Sequence, residues 1–449
     1  MIDDPTLKSP SSEAGQKGVT PRQVFMISGL GTALEYYDFI VYGLAAGLVF
    51  NTVFFPNSSP LVGTLYAFAA FGTGFFARPV GGIVIGHFGD KLGRRKVLIF
   101  TLITMGVSTI LIGFVPSYGT IGVGAPILLV VLRLVQGFAA GGEWGGASLF
   151  GMENASDRRR GLWGSFTSMG ISIGAFVGGG VFAIVSWAAG GDLTGSAWRI
   201  PFWLGGLLVI VGLFARLSMP EEEVLESGDV ATEAIPAATA IRTRPRAVLA
   251  GLGVSYGYNT IAYMGFTFFL SYLTGIGFDS TEVLVGQLVY SAILVVSAPL
   301  FAMLSDRVGR RPVMVLGAIL MSAWLFIYFP TVDGSTITYV AVAFALTGIL
   351  TGITQGPIPA FLGEQFPLRM RYSGMSISYQ VGAALGGGTA SFIATALLVA
   401  YDDNPIPVAV YGAFAMLVLL VSTLALPETA GLSTAQINQV ESDQPAVRV

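Results

Sequence analysis

Five ionisable side chains, Glu35, Asp38, Arg78, Arg133 and Glu143, stand inside long apolar runs. A charge at the centre of a lipid-spanning helix costs about 2.5–3.5 kcal/mol or more, so each is a functional candidate by default. Glu35 and Asp38 are three residues apart and share one helix face. Two carboxylates crowded on a partly desolvated face resist joint ionisation, so one of them can bind and release a proton. At a rise of about 1.5 Å per residue, Asp38 and Arg133 fall at similar levels, with Glu35, Arg78 and Glu143 deeper. This spacing predicts an outer pair, Asp38 with Arg133, and an inner cluster of Arg78 with Glu143 or Glu35. A static ion pair that fixes helix packing is the competing reading of the outer pair. The guanidinium of Arg78 suits a carboxylate ligand. It also precedes Pro79, where a kinked helix needs donors for its freed carbonyls, and both roles stay open.

The elements that must hold these residues are membrane spans. The chain has 449 residues, 53% hydrophobic and only 11% charged, with a mean hydropathy of +0.73. A soluble domain carries about 25% charged residues, too many for this chain to imitate, so its surface is expected to face lipid. A spanning helix needs roughly 20 apolar residues. Twelve runs qualify: 24–50, 62–86, 97–115, 124–150, 162–188, 199–218, 247–274, 281–303, 313–331, 337–362, 373–399 and 405–426. The fold class is therefore an all-α polytopic membrane protein. Residues 1–21 are polar and lack the order of a signal peptide, so the first run is expected to stay as an anchor.

The polar segments set orientation and symmetry. Of the 23 basic residues, all but Arg78, Arg133 and Arg199 fall on one side of the twelve spans. Both termini are therefore expected to be cytoplasmic. Gly86-His-Phe-Gly-Asp90-Lys-Leu-Gly93-Arg94-Arg95-Lys96 recurs in part as Ser305-Asp306-Arg-Val-Gly309-Arg310-Arg311, at an offset of 216 residues. The glycines at 174 and 178–180 recur at 382 and 386–388, at an offset of 208. The division reads as a tail (1–21), a six-helix bundle (22–218), a linker (219–246), a second bundle (247–428) and a tail (429–449). Parallel repeats of this kind place a site between the halves near the midplane. All five buried charges lie in the first half. The second offers Tyr256, Asn259, Tyr263, Gln355, Tyr379 and Gln380 at depth. Tyr36, Tyr37 and Tyr42 are candidates to line a cavity, with packing or interfacial roles as the alternative. The glycine ladders read as faces of close helix packing. His87 reads as a solvated loop side chain.

Several of these motifs resemble a known family. Gly86-x-x-x-Asp90-Lys-x-Gly93-Arg94-Arg95-Lys96 is similar to the signature loop of the major facilitator superfamily, and Arg133-Leu-Val-Gln136-Gly137 to its helix 4 motif. Glu35-Tyr-Tyr-Asp38-Phe39, Ala77-Arg78-Pro79-Val-Gly81-Gly82, Gly141-Gly-Glu143-Trp144-Gly-Gly146 and Glu364-x-Phe366-Pro-x-Arg369-x-Arg371-Tyr372-Ser-Gly374 resemble the metabolite:H⁺ symporters, carriers of shikimate, α-ketoglutarate, citrate and proline or betaine. The second loop copy departs from the first, with Arg311-Pro312 where the first has Arg95-Lys96.

The resemblance implies two pseudo-symmetric six-helix bundles and a multi-pass protein of a bacterial-type inner or plasma membrane. It implies a symporter, monomeric, whose partners are the bilayer, a small-molecule substrate and H⁺. Asp38 or Glu35 would then take the proton, with Arg133 sensing the change and Glu143 beside the coupling path. Substrate contacts would come from Arg78, Arg133, Tyr37, Tyr42 and the polar groups of the second half. Gly86, Asp90, Gly93, Arg94 and Arg95, with Asp306, Arg310 and Arg311, would form a cytoplasmic gate. The arginines favour a small organic acid, while a zwitterionic osmolyte such as betaine or proline is the alternative, its cationic end held by Glu35 and Asp38.

Other classes find little support. The sequence contains no Cys and a single His, which excludes thiol chemistry and leaves no metal site to expect. No Gly-Lys dipeptide is present, so there is no phosphate cradle of the ATPase type. The chain is expected to be no enzyme, to need no cofactor beyond a proton gradient, and to bind no nucleic acid.

Overall fold

The computed structural model describes residues 20–92, 94–141, 143–217, 236–433 and 436–437. Twelve long helical segments run back and forth through one body, and the described residues contain no strand. They are α1 (Pro21–Leu48), α2 (Pro60–Leu92), α3 (Arg94–Phe114), α4 (Gly124–Glu153), α5 (Arg160–Ala188), α6 (Ile200–Leu217), α7 (245–275), α8 (Ser280–Val308), α9 (Arg310–Val332), α10 (Ile337–Gly363), α11 (368–400) and α12 (Ile406–Ala425). An even number of crossings brings the start of α1 and the end of α12 to one face, called here the terminal face. Most of both polar tails and residues 219–235 of the 219–246 linker lie outside the described residues. The linker ends in a short helix, Pro236–Thr243.

Apolar residues cover the outside of the bundle as well as its inside: Phe100, Ile184 and Leu249 are all more than 60% exposed. Such a surface is stable only in lipid, where helices satisfy their backbone groups internally.

Helix irregularities repeat between the halves. α4 breaks between Ala140 and Glu143, and α10 between Gln355 and Ile358. The two breaks are 215 residues apart, within one residue of the loop repeat. A π-type turn also interrupts α1 near its start, at Phe25–Gly29, and α7 near its end, at Met264–Phe268, positions the repeat does not relate; such a deviation costs regular bonding and gathers at functional sites. The glycine ladders repeat as well. A Cβ at Gly174 would meet Ala33 O of α1 at 2.4 Å, and one at Gly382 would meet Leu252 O of α7 at 2.5 Å. The small residues thus seat α5 on α1 and α11 on α7, as the packing reading expects.

The halves touch at both ends. On the far side of the midplane a Cβ at Gly72 would stand 2.3 Å from Gly388 O, and Phe75 meets Tyr263 edge-on at 4.8 Å. Toward the terminal face, Trp144 stacks on Tyr379, Gln380 donates to Gly141 O at 2.9 Å, and Gln355 donates to Ser168 O at 3.1 Å. The conformation is closed on both sides.

Candidate functional site

α2 and α4 approach so closely that a Cβ at Gly137 would stand 1.9 Å from Gly74 O. This contact brings Arg78 and Arg133 side by side toward the bundle axis, both with no solvent exposure. Arg78 forms an ion pair with Glu35 of α1 at 3.1 Å, each side chain 1% exposed. The inner cluster therefore forms through Glu35. The Glu143 side chain lies outside the described residues. Arg78 Nε and Nη1 and Arg133 Nη2 make no hydrogen bond of good geometry among the described residues, although the Tyr36 side chain stands beside the Arg78 guanidinium.

The outer pair is corrected by the structure. Among the described residues Asp38 and Arg133 form no direct ion pair. Arg133 donates to Gln136 Oε1 at 3.1 Å and to Phe71 O at 3.3 Å. Gln136 Nε2 in turn donates to Thr109 Oγ1 at 2.6 Å, and the Thr109 side chain stands beside Asp38. Asp38 also faces α6, where a Cβ at Gly205 would lie 3.3 Å from its Oδ1. The physical reason is rotation: equal depth does not fix azimuth, and Asp38 is turned toward α3 and α6. Two neutral polar side chains, Gln136 and Thr109, stand between the two charges.

Aromatic rings replace solvent around the cations. The Arg78 Cζ lies 3.8 Å from the Phe39 ring centroid, 5.0 Å from Phe75 and 5.6 Å from Tyr36. The Arg133 Cζ lies 3.9 Å from the same Phe39 ring, 4.4 Å from Tyr42 and 4.8 Å from Phe71. Desolvated cation–π contacts are worth about 2 kcal/mol each, enough to offset part of the burial cost of a guanidinium.

The other sequence candidates divide. Tyr263 reaches the arginines from α7, packing on Phe71 and Phe75 with its hydroxyl unpartnered among the described residues. Tyr379 lies on the axis, its hydroxyl 3.4 Å from that of Tyr36 and its ring on Trp144. Gln355 and Gln380 bind backbone across the interface between halves. Tyr42 contacts Arg133. Tyr37 turns away and donates to Pro201 O of α6 at 2.7 Å, which is packing. Tyr256 is turned toward α12, against Tyr411. Asn259 donates to Ser255 of its own helix. In the second half the buried charged residues among those described are Arg310, Glu364 and Arg371, all at helix ends on the terminal face.

That face carries the second loop copy. Asp306 accepts from the backbone amides of Gly161 at 2.9 Å and Leu162 at 3.0 Å, capping the start of α5 in the other half. Arg310 pairs with Asp306 at 2.6 Å and with Glu364 at 3.3 Å, and Thr429 donates to Glu364 at 2.7 Å. Arg311 donates to Leu424 O. Glu428 accepts from the amides of Arg310 and Arg311 at 3.0 and 2.9 Å. Burial pushes the Glu428 carboxyl up, but its backbone donors outweigh burial and hold it below the usual carboxylate range. Of the first loop copy, Gly93 and the side chains of Asp90, Arg94 and Arg95, like the packing around Gly86, lie outside the described residues.

Sequence reasoning gave no site role to Phe39, Gln136, Thr109 or Glu428. Gln136 stands three residues after Arg133, a spacing that places both on one helix face. Phe39 stands four residues after Glu35 on the same helix face, but as one of 31 Phe it draws no notice by residue type.

Two bundles of six helices related by an internal repeat, closed around buried charges on their common axis, define a secondary-transporter fold rather than an enzyme. The profile of the sugar (and other) transporter family matches residues 24–222 and 239–440. The chain belongs to that family, within the major facilitator superfamily. It is 39% identical to the inner membrane metabolite transport protein YhjE of Escherichia coli K12, covering 84% of this chain and 88% of that protein. It is 37% identical to the shikimate transporter of the same organism (91% and 95% covered). It is 32% identical to the proline/betaine transporter of Salmonella typhimurium LT2 (91% and 84%). Among solved structures, the proton:xylose symporter XylE superposes with a TM-score of 0.72 at 19% identity, over 94% of this chain and 98% of that one. The last likeness concerns the fold.

Proposed function

We propose that the chain is a proton-driven symporter that imports a small organic acid, shikimate or a similar carboxylate, with both termini in the cytoplasm. The observation that carries this reading is the pair of fully buried guanidinium groups whose N–H donors are not all matched by hydrogen-bond partners among the described residues. Such donors in low dielectric favour an anion, and a carboxylate fits their fork. The facing half supplies the aromatic wall of Tyr263 and Tyr379, so no second-half carboxylate among the described residues competes at that depth.

Coupling follows from charge balance. In the closed state Glu35 holds Arg78. A substrate carboxylate on Arg78 displaces that partner and adds a negative charge. Taking a proton on Asp38, or on Glu35, restores neutrality, and a neutral set costs least to carry through a closed core. The halves then rock, parting at the contacts of Asp306 with α5 on one side or of Gly72 with Gly388 on the other. The protein acts as a monomer and needs no cofactor, its energy coming from the proton gradient.

The test is uptake of labelled shikimate by proteoliposomes under an inside-alkaline gradient. Accumulation that a protonophore abolishes is expected, while accumulation indifferent to the gradient would remove the proton from the reading. Glycine betaine belongs in the same panel. The second reading, a zwitterionic osmolyte, draws support from the buried carboxylates and from the proline/betaine relatives. Competition by betaine but not by shikimate would select it.

A further inference from the structure

Phe39 is fully buried, one turn beyond Glu35 and adjacent to Asp38. Two guanidinium carbons lie under 4 Å from its ring centroid, that of Arg78 at 3.8 Å and that of Arg133 at 3.9 Å. Two guanidinium groups over one face would crowd and repel, so opposite faces of the ring are the arrangement that these distances favour. The levels along α2 agree. Arg133 lies against Phe71 and Gly74, one turn away from Arg78. Phe75 meets the same ring edge-on at 5.4 Å and fixes its tilt.

Two buried cations this close repel strongly in a low-dielectric core. Glu35 answers one of them. For Arg133 no carboxylate stands within ion-pair distance among the described residues, and its closest partners are amide and carbonyl dipoles and ring faces. The π-cloud is negative on both faces, so one ring placed between two cations attracts each while keeping them apart. A leucine of similar bulk would separate them without that attraction.

We infer that Phe39 is the positioning residue of the arginine pair, its two faces holding the guanidinium groups of Arg78 and Arg133 in the arrangement that receives an anion. This rests on the reading of that pair as the anion site. It makes the two arginines one unit: a shift of either guanidinium changes the fit of the ring to the other.

The test must separate electrostatics from shape. Replacing Phe39 by 4-fluoro-, 3,5-difluoro- and 3,4,5-trifluorophenylalanine drains the π-cloud stepwise at nearly constant volume. Tm of the purified protein in detergent and KM for labelled shikimate in proteoliposomes are read along the series. The expected result is a Tm that falls with each fluorine and a KM that rises about thirtyfold across the series, the size of one desolvated cation–π contact. A flat or rising Tm overturns the inference, and so does a falling Tm with unchanged KM, which marks a purely structural ring. Arg78→Lys and Arg133→Lys distinguish the layers. If both leave KM unchanged, the anion-site reading falls and the inference with it. If both raise KM while the fluorinated rings do not, only the role of Phe39 falls. Phe39→Leu should resemble the trifluoro variant, and the fluorinated series decides the matter if that protein fails to fold.

Discussion

Asp306 of the second half accepts a hydrogen bond from the backbone amide of Gly161, in the first half, at 2.9 Å. Together with the Leu162 amide at 3.0 Å, this makes a carboxylate from one bundle the cap of a helix in the other. A charged hydrogen bond at a helix start is worth about 1.5–3 kcal/mol. Asp306→Asn keeps the shape and loses the charge, so it should weaken closure of the terminal face by roughly tenfold or more. The sequence lacks Cys, so a single Ser168→Cys reports opening cleanly where Ser168 meets Gln355 across the interface. Maleimide labelling at that position should accelerate in the Asp306→Asn background. Equal labelling rates would show that the cap does not hold this face shut.

Glu35 and Arg78 offer a second test, since breaking a buried pair by removing one partner costs about 3–5 kcal/mol. Glu35→Gln leaves Arg78 charged and unpaired, and Arg78→Gln leaves the carboxylate. Each single substitution should lower Tm in detergent, and the double substitution should recover much of the loss. Transport should stay absent in the double variant. Recovery of transport along with Tm would reduce the pair to a packing device.

Much of this arrangement was legible in the sequence. Apolar run length placed all twelve helices to within six residues at either end. The glycine ladders marked α5 and α11 as carrying close-packing faces, because only small residues allow backbones that near, but they did not name α1 and α7 as the partners. Buried charge was visible because lipid penalises it wherever it stands. What failed was azimuth. Asp38 and Arg133 lie at matching depths, yet their helices are rotated so that Thr109 and Gln136 stand between them. Tyr37 and Tyr256 turned to α6 and α12 for the same reason. Hydropathy locates a helix along the membrane normal, while rotation is set by neighbours distant in sequence.

Because Asp38 forms no direct ion pair with Arg133 among the described residues, its substitution is expected to alter coupling more than folding. Asp38→Asn should keep Tm within a few degrees and retain exchange of labelled for unlabelled substrate across proteoliposomes. Uphill accumulation under a proton gradient should fall to the level reached without one. Glu35→Gln in the same assay indicates which carboxylate carries the proton. Accumulation surviving in Asp38→Asn and vanishing in Glu35→Gln would move the role one turn along α1.

The terminal face should respond to acid through Glu428. Its carboxylate accepts from the amides of Arg310, Arg311, Thr429 and Ala430 at 2.9–3.0 Å and so caps the start of α9. Burial alone would raise its pKa, but these donors favour the ionised form and the net displacement is downward. A carboxyl whose folded pKa is depressed contributes stability that is fully present above its unfolded pKa. That contribution is lost as pH falls through the folded value. Glu428→Gln should therefore lower Tm at neutral pH, and the gap to the unsubstituted protein should narrow as pH is taken below the usual carboxylate range. Thermal unfolding of both proteins across that acid range is the measurement. A gap that stays constant down to the lowest pH would mean that the side chain supports α9 by shape and not by charge.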